Sequence, residues 1–153
     1  MKNDAFKLIQ NNRSAYHEYY IEEKIEAGLS LYGTEVKSIR QNKVNLKDSF
    51  AYIKDGEAFV AGMHISPYEQ GNIFNKDPLR VRRLLLNKRE IRRLKEVTQK
   101  QGYTLIPTDI HFKGPYAKLT IGIAKGKKLY DKRDTSAKRD ASRDIQRAMK
   151  RDS

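Results

Sequence analysis

Cysteine and tryptophan are absent from the 153 residues, and proline occurs only four times. Without cysteine there is no disulfide, no thiolate zinc site and no cysteine nucleophile, and the composition suits a reducing interior. Long apolar runs are missing as well. Nowhere do about 18 apolar residues follow one another, and the segment from Met1 to Arg13 has no hydrophobic h-region. Neither secretion nor a membrane-spanning helix is expected, and the cytoplasm is the expected location. Catalytic signatures are equally scarce: no phosphate-cradling GxxxxGK[ST] loop and no Ser nucleophile elbow occurs. His17, His64 and His111 stand far apart with no paired ligand at helical or turn spacing, so no metal site is expected. Glu35-Val-Lys37 matches the acidic-x-Lys half of a metal-dependent nuclease site, but the only Asp upstream is Asp4, so the other half is missing. The chain reads as a binder with no cofactor, not an enzyme.

What is abundant is positive charge. Thirty-two Lys and Arg face 19 Asp and Glu, a formal net charge of +13. Such an excess points to a nucleic-acid partner, with an anionic membrane as the weaker alternative. The final segment, Lys125 to Ser153, holds eleven Lys or Arg against five Asp. It has too few apolar residues to repay its ordering entropy and is expected to be a tail, disordered when free, that orders on a polyanion. Ala137, Ala141, Ile145 and Ala148 or Met149 recur three or four apart, a narrow seam for a helix that is marginal alone in water. A second concentration, Arg80, Arg82, Arg83, Lys88, Arg89, Arg92, Arg93, Lys95 and Lys100, faces only Glu90 and Glu96 and predicts a cationic strip. Phosphate neutralisation there releases counterions and favours RNA or DNA whatever its sequence. Among the aromatics, Tyr16, Tyr19, Tyr20, Tyr68 and Tyr130 are candidates for stacking on bases, while Tyr19 and Phe50 also suit half-buried barrel positions. Tyr130 lies between Lys127-Lys128 and Lys132-Arg133 with no apolar neighbour beyond Leu129, which favours stacking or backbone contact.

Periodicity supplies the elements. Alternation from Tyr16 to Ile25 and the run Leu29 to Tyr32 predict two strands, the first long and bent. Ser49 to Lys54, Asp55-Gly56 and Ala58 to Ile65 predict a hairpin, since Asp-Gly readily supplies positive φ. Tyr103 to Phe112 and Tyr116 to Ala124 predict two more strands. A short helix is expected at Thr34 to Gln41 with Thr34 as N-cap, and a longer one starts at Asn87, with Glu90 in capping-box position and Ile91, Leu94 and Val97 at helical spacing. Six short strands and embedded helices in about 125 residues make a mainly β chain: a small closed six-stranded antiparallel barrel of oligonucleotide-binding type. The boundaries that follow are 1–11 as a flexible N-terminus, 12–124 as the barrel and 125–153 as the basic tail.

Five strings carry a resemblance. Asn12-Arg-Ser-Ala-Tyr-His-Glu-Tyr-Tyr-Ile-Glu22, Glu26-Ala-Gly28, Gly33-Thr-Glu-Val-Lys-Ser-Ile-Arg40, Arg82-Arg-Leu-Leu-Leu-Asn87 and Ala124-Lys-Gly-Lys-Lys-Leu-Tyr-Asp-Lys-Arg133 together resemble the SsrA-binding protein family, in order and in spacing, from about Asn12 to Met149. The resemblance implies a barrel that binds the tRNA-like domain of tmRNA and accompanies it, with elongation factor Tu, to stalled bacterial ribosomes for trans-translation. It implies tmRNA contacts at Glu26, Leu85 and Asn87, with phosphate contacts from Lys37 and Arg40. It also implies ribosome contacts at His17, Lys127, Lys128, Tyr130, Asp131, Lys132 and Arg133, where the tail enters the empty messenger channel near the decoding centre as a helix. A monomer in the bacterial cytoplasm is the implied form. Thr34 and Tyr130 depart from the Trp and His that many members carry.

Overall fold

Alternating side chains, interrupted among the described residues by three helices, build most of the strands into a closed ring. The computed structural model describes residues 6–70 and 75–127. In order these form β1 (Phe6–Asn11), α1 (Arg13–Glu18), β2 (Tyr19–Leu29), α2 (Gly33–Arg40), β3 (Val44–Asn45), β4 (Phe50–Lys54), β5 (Glu57–Ala61), β6 (His64–Ile65), β7 (Arg82–Leu85), α3 (Lys88–Thr98), β8 (Tyr103–Lys113) and β9 (Tyr116–Gly126). β8 pairs with β4, β4 with β5, β5 with β7, β7 with β2, β2 with β9, and β9 returns to β8. Every pairing is antiparallel, so the ring is the six-stranded barrel expected from the sequence, and closure leaves the ring without free edges. Val60, Leu84, Leu105, Ile110, Leu119 and Ile121 fill it, joined by Ile39 of α2 and Leu94 of α3. The hairpin forms at Asp55-Gly56, both at positive φ (52° and 76°), the geometry that matches the twist of the flanking strands.

Five expectations need correction. Residues 16–18 belong to α1 rather than a strand, and β2 runs unbroken through Ala27-Gly28 to Leu29, so Leu29 does not open a new strand. The sixth strand of the ring is β7, hidden in the sequence by Arg82 and Arg83. Arg82 points inward beside Leu84, whereas Arg83 and Leu85 point outward, and an inward cation breaks the apolar alternation that marks a strand. The helix α2 starts at Gly33 with Tyr32 as its N-cap, not Thr34, because the Glu35 carboxylate reaches back to accept from the Tyr32 N–H at 2.9 Å. Finally, Phe6–Asn11 is not a flexible end but β1, paired with β8 from Lys113 to Asp109. Its anchor is polar. The Gln10 side chain donates to the Val44 carbonyl at 2.8 Å and accepts from the Leu46 N–H at 2.9 Å, and the Asn12 amide donates to the Pro107 carbonyl at 2.8 Å. The expected Ala58 to Ile65 strand also splits into β5 and β6 at Gly62, whose φ of +75° takes it out of the extended region. At the other end β9 continues two residues past Ala124, with Lys125 and Gly126 opposite Tyr20 and Tyr19.

Candidate nucleic-acid interface

Glu26 and Leu85 meet on the barrel's outer face. On β2, Glu26 and Gly28 lie two residues apart on one side, and Gly28 stands opposite Leu85 of β7. A Cβ on Gly28 would come within 3.2 Å of the Leu85 Cβ, so the glycine lets Leu85 lie close against β2 while remaining 53% exposed. The Glu26 carboxylate is held in place. One oxygen contacts His111 Nε2 at 2.8 Å and the other accepts from Lys113 Nζ at 3.3 Å. His111, only 2% exposed, contacts Asp109 through Nδ1 at 2.7 Å, and the same Asp109 oxygen accepts from Thr120 Oγ1 at 3.0 Å. Burial pushes the Glu26 carboxyl up, but hydrogen bonds from His111 and Lys113 outweigh it and hold the group below the usual carboxylate range. Glu26 therefore presents a fixed anionic acceptor. Asp109, His111 and Lys113 alternate along β8, a period-2 signal in the sequence that could have shown they share a face.

Asn87 lies just beyond Leu85 as the N-cap of α3. Its Oδ1 accepts from the Glu90 N–H at 2.8 Å, and Glu90 accepts from the Asn87 N–H at 3.1 Å, closing the expected capping box. The acceptor is used by the helix, while the exposed amide NH₂ keeps two donors. Arg40, at the end of α2, lays its guanidinium 4.4 Å from the ring centre of Phe112, the neighbour of His111 in β8. Glu26, Leu85 and Asn87 thus come from adjoining parts of β2, β7 and the start of α3, whereas Arg40 packs on Phe112, whose side chain points to the opposite face of β8 from His111. Lys37, one turn earlier in α2, is directed elsewhere, with Nζ 5.4 Å from the ring centre of Tyr68.

His17 and Lys127 form a second group. His17 is exposed in the last turn of α1, and Lys127 Nζ donates to the adjacent Tyr16 carbonyl at 2.8 Å while lying 5.1 Å from the Tyr20 ring. Lys24 lies over Tyr16 at 5.1 Å. Tyr16, Tyr19 and Tyr20, expected to stack on bases, border this group. Tyr19 is half-buried, as a barrel position allows, and Phe50 is exposed, 6.0 Å from the Tyr52 ring. Tyr19 opposes Gly126 and Glu26 opposes Thr120, so the two groups occupy opposite ends of the β2–β9 ribbon. Seven residues of strand put them roughly 20 Å apart. Lys128, Tyr130, Asp131, Lys132 and Arg133, with the rest of the expected tail helix, lie outside the described residues.

The cationic strip is smaller than the sequence suggests. Glu35, 4% exposed, accepts from Arg80 Nε at 3.0 Å and Nη2 at 2.7 Å and from Arg82 Nε at 2.9 Å. Arg82, 1% exposed, also donates to the Met63 carbonyl at 2.6 Å. Burial raises the Glu35 carboxyl, yet the two guanidinium groups and the Tyr32 N–H bring it below its ordinary value, while burial lowers Arg82. With its oxygens so engaged, Glu35 is a structural anchor rather than the metal-holding half of an acidic-x-Lys pair. Arg83 pairs with Glu57 at 2.9 Å and Arg93 with Glu23. Among the described residues no trio of His, Cys, Asp or Glu is placed to hold a metal ion, and no helix is long and apolar enough to cross a membrane.

Comparison with known proteins adds a lineage to this geometry. The family model described as SmpB protein matches residues 9–151. The SsrA-binding protein of Ruminiclostridium cellulolyticum is 60% identical over 150 residues, 98% of this chain and 97% of its own length. That of Acetivibrio thermocellus is 58% identical over 150 residues, again 98% and 97%. A solved structure described as "tmRNA-SmpB: a journey to the center of the bacterial ribosome" superposes with a TM-score of 0.70 at 47% identity, covering 88% of this chain and 94% of that one. The barrel matches in fold and the sequence matches from β1 into the segment beyond β9, so the chain belongs to the SsrA-binding protein (SmpB) family.

Proposed function

We propose that this protein binds the tRNA-like domain of tmRNA and brings it to stalled bacterial ribosomes in trans-translation, the barrel holding the RNA and the segment after β9 engaging the ribosome. The observation that carries the reading is the two-ended arrangement of the β2–β9 ribbon. Glu26 and Leu85 lie toward one end, with Asn87 just beyond Leu85, and His17 and Lys127 at the other. RNA recognition by shape needs a rigid surface, and Glu26 has one: His111 and Lys113 fix its carboxylate to accept from a base edge or a 2′-hydroxyl. Lys37 and Arg40 supply phosphate contacts. On the ribosome, Lys127, Lys128, Lys132 and Arg133 meet phosphates near the decoding centre, Tyr130 stacks or packs on ribosomal RNA with Asp131 beside it, and His17 faces small-subunit RNA. A cationic segment that orders on binding can sense a vacant messenger channel, because messenger RNA competes for the same space. The protein acts as a cytoplasmic monomer, with elongation factor Tu in the delivery complex and no catalytic step of its own. The relatives' names and the neighbour's tmRNA and ribosome setting support this reading.

Competition binding tests it. The full chain is titrated with the tRNA-like domain against ordinary tRNA and single-stranded RNA over a range of salt. The expected outcome is a preference for the tRNA-like domain that survives high salt. Equal binding to all three, lost together as salt rises, would reduce the protein to a nonspecific polycation.

A further inference from the structure

A cleft of about 400 Å³ opens at the start of α2, lined by Tyr32, Gly33, Lys37, Tyr68, Gln70 and Lys76 among others. Its two aromatic walls carry cations. Lys37 Nζ lies 5.4 Å from the Tyr68 ring centre and Lys76 Nζ 4.4 Å from that of Tyr32, which also carries the Arg80 guanidinium at 4.7 Å. Both walls are fixed from behind. Asn75 accepts from the Tyr68 N–H at 2.9 Å and donates to the Tyr68 carbonyl at 2.8 Å, and Tyr32 is the N-cap residue clamped by Glu35. Arg80 is paired with Glu35, which it shares with Arg82, but Lys37 and Lys76 have no ion pair or hydrogen bond among the described residues. Nearby acids are engaged elsewhere: Glu69 with Lys43 at 3.7 Å, and Asp77 with the Leu79 N–H at 2.8 Å. Two unneutralised ammonium groups are therefore held at one opening. A ring beneath a lysine stem restricts where its charge can sit, which lowers the entropy that ion pairing costs.

We propose that Lys37 and Lys76, resting on Tyr68 and Tyr32, clamp one phosphodiester of the bound RNA. The ligand class follows from the charge. Tyr32 already carries two cations over its ring, so a base could stack there only by displacing one, whereas an anion completes the arrangement. Lysine suits this role as a point charge needing no fork geometry. The proposal rests on the RNA-binding reading and adds to it a contact centred on Lys76, Tyr68 and Tyr32, set apart from the Glu26 and Leu85 group.

The test compares K37Q, K76Q and the double variant with K54Q, which removes the same charge from the exposed β4–β5 turn. Affinity of the full chain for the tRNA-like domain is measured across salt. K76Q should weaken binding about two- to fivefold more than K54Q and lower the slope of log affinity against log salt by about 1. Because both lysines serve one phosphate, the double variant should lose about as much slope as either single one. Tyr68→Leu should weaken binding without any change in charge, and Tyr68→Phe should not, with thermal melting confirming that both remain folded. If K76Q and K37Q match K54Q, or Tyr68→Leu binds as the wild type does, the clamp is wrong. The slopes are read on whichever RNA the wild type binds, so a missing preference for the tRNA-like domain overturns the functional reading and leaves the slopes to decide the clamp.

Discussion

Glu35 governs the region between α2 and β7 at the scale of a single side chain. It compensates Arg82, a charge almost wholly removed from water, and so its removal leaves that charge buried and unpaired. The Glu35→Ala variant should lose about 3–5 kcal/mol of unfolding free energy in urea titration. The pH dependence has a definite sign. Because the folded carboxyl titrates below its unfolded counterpart, the stabilisation is present above the unfolded carboxylate range and disappears as pH falls through the folded value. The stability gap between wild type and Glu35→Gln should hold near neutrality and narrow below about pH 4. Asn87 has two duties that substitution can separate. Asn87→Ala should lose the cap, about 1 kcal/mol in denaturant titration, and also weaken tmRNA binding. Asn87→Asp keeps the cap acceptor but gives up the donors, so it should melt like the wild type and bind less tightly. Wild-type affinity in Asn87→Asp would leave Asn87 a structural cap alone. The two residues differ in how far sequence discloses them. Asn87 and Glu90 form a local pattern three residues apart, whereas Glu35 meets partners 45 and 47 residues away, a distance at which only the folded chain brings the charges together.

Among the elements, α3 is held by a narrow apolar stripe on an otherwise charged surface, and Leu94 is its only fully buried residue. Leu94→Ala should cost about 2–5 kcal/mol, seen as a lower denaturation midpoint with an unchanged slope. Elements with a regular pattern were legible. The β4–β5 hairpin, β8, β9 and α3 follow directly from Asp55-Gly56, from β-branched alternation and from the spacing of Ile91, Leu94 and Val97. Elements whose stabilisation comes from polar groups were not. β7 hides behind Arg82, which is inward because Glu35 waits there, and β1 is fastened by Gln10 and Asn12 side chains acting as substitutes for backbone partners. The proposed site follows the same division. Its residues came from motif strings, but the grip of His111 and Lys113 on Glu26 and the perches beneath Lys37 and Lys76 depend on contacts between distant strands and loops.

For the whole molecule, a closed barrel keeps two surfaces a fixed distance apart while the excess charge lets both approach RNA. Partial neutralisation inside the fold matters here. Arg83 and Arg93 each pair with a carboxylate and Arg80 and Arg82 share that of Glu35, so on the proposed function specificity comes from placed groups such as Glu26 and Leu85 rather than from a uniform cationic coat. Lys127 lies beside His17, at the end remote from Glu26, which on the proposed function keeps RNA holding apart from the ribosome contacts. A chain ending at Tyr130 tests that separation when its affinity for the tRNA-like domain and its tagging of stalled nascent chains are measured together. Affinity within about twofold of the full chain is expected, in keeping with a surface-charge effect of under 1 kcal/mol, together with no tagging. A large loss of affinity, or tagging that survives the truncation, would contradict it.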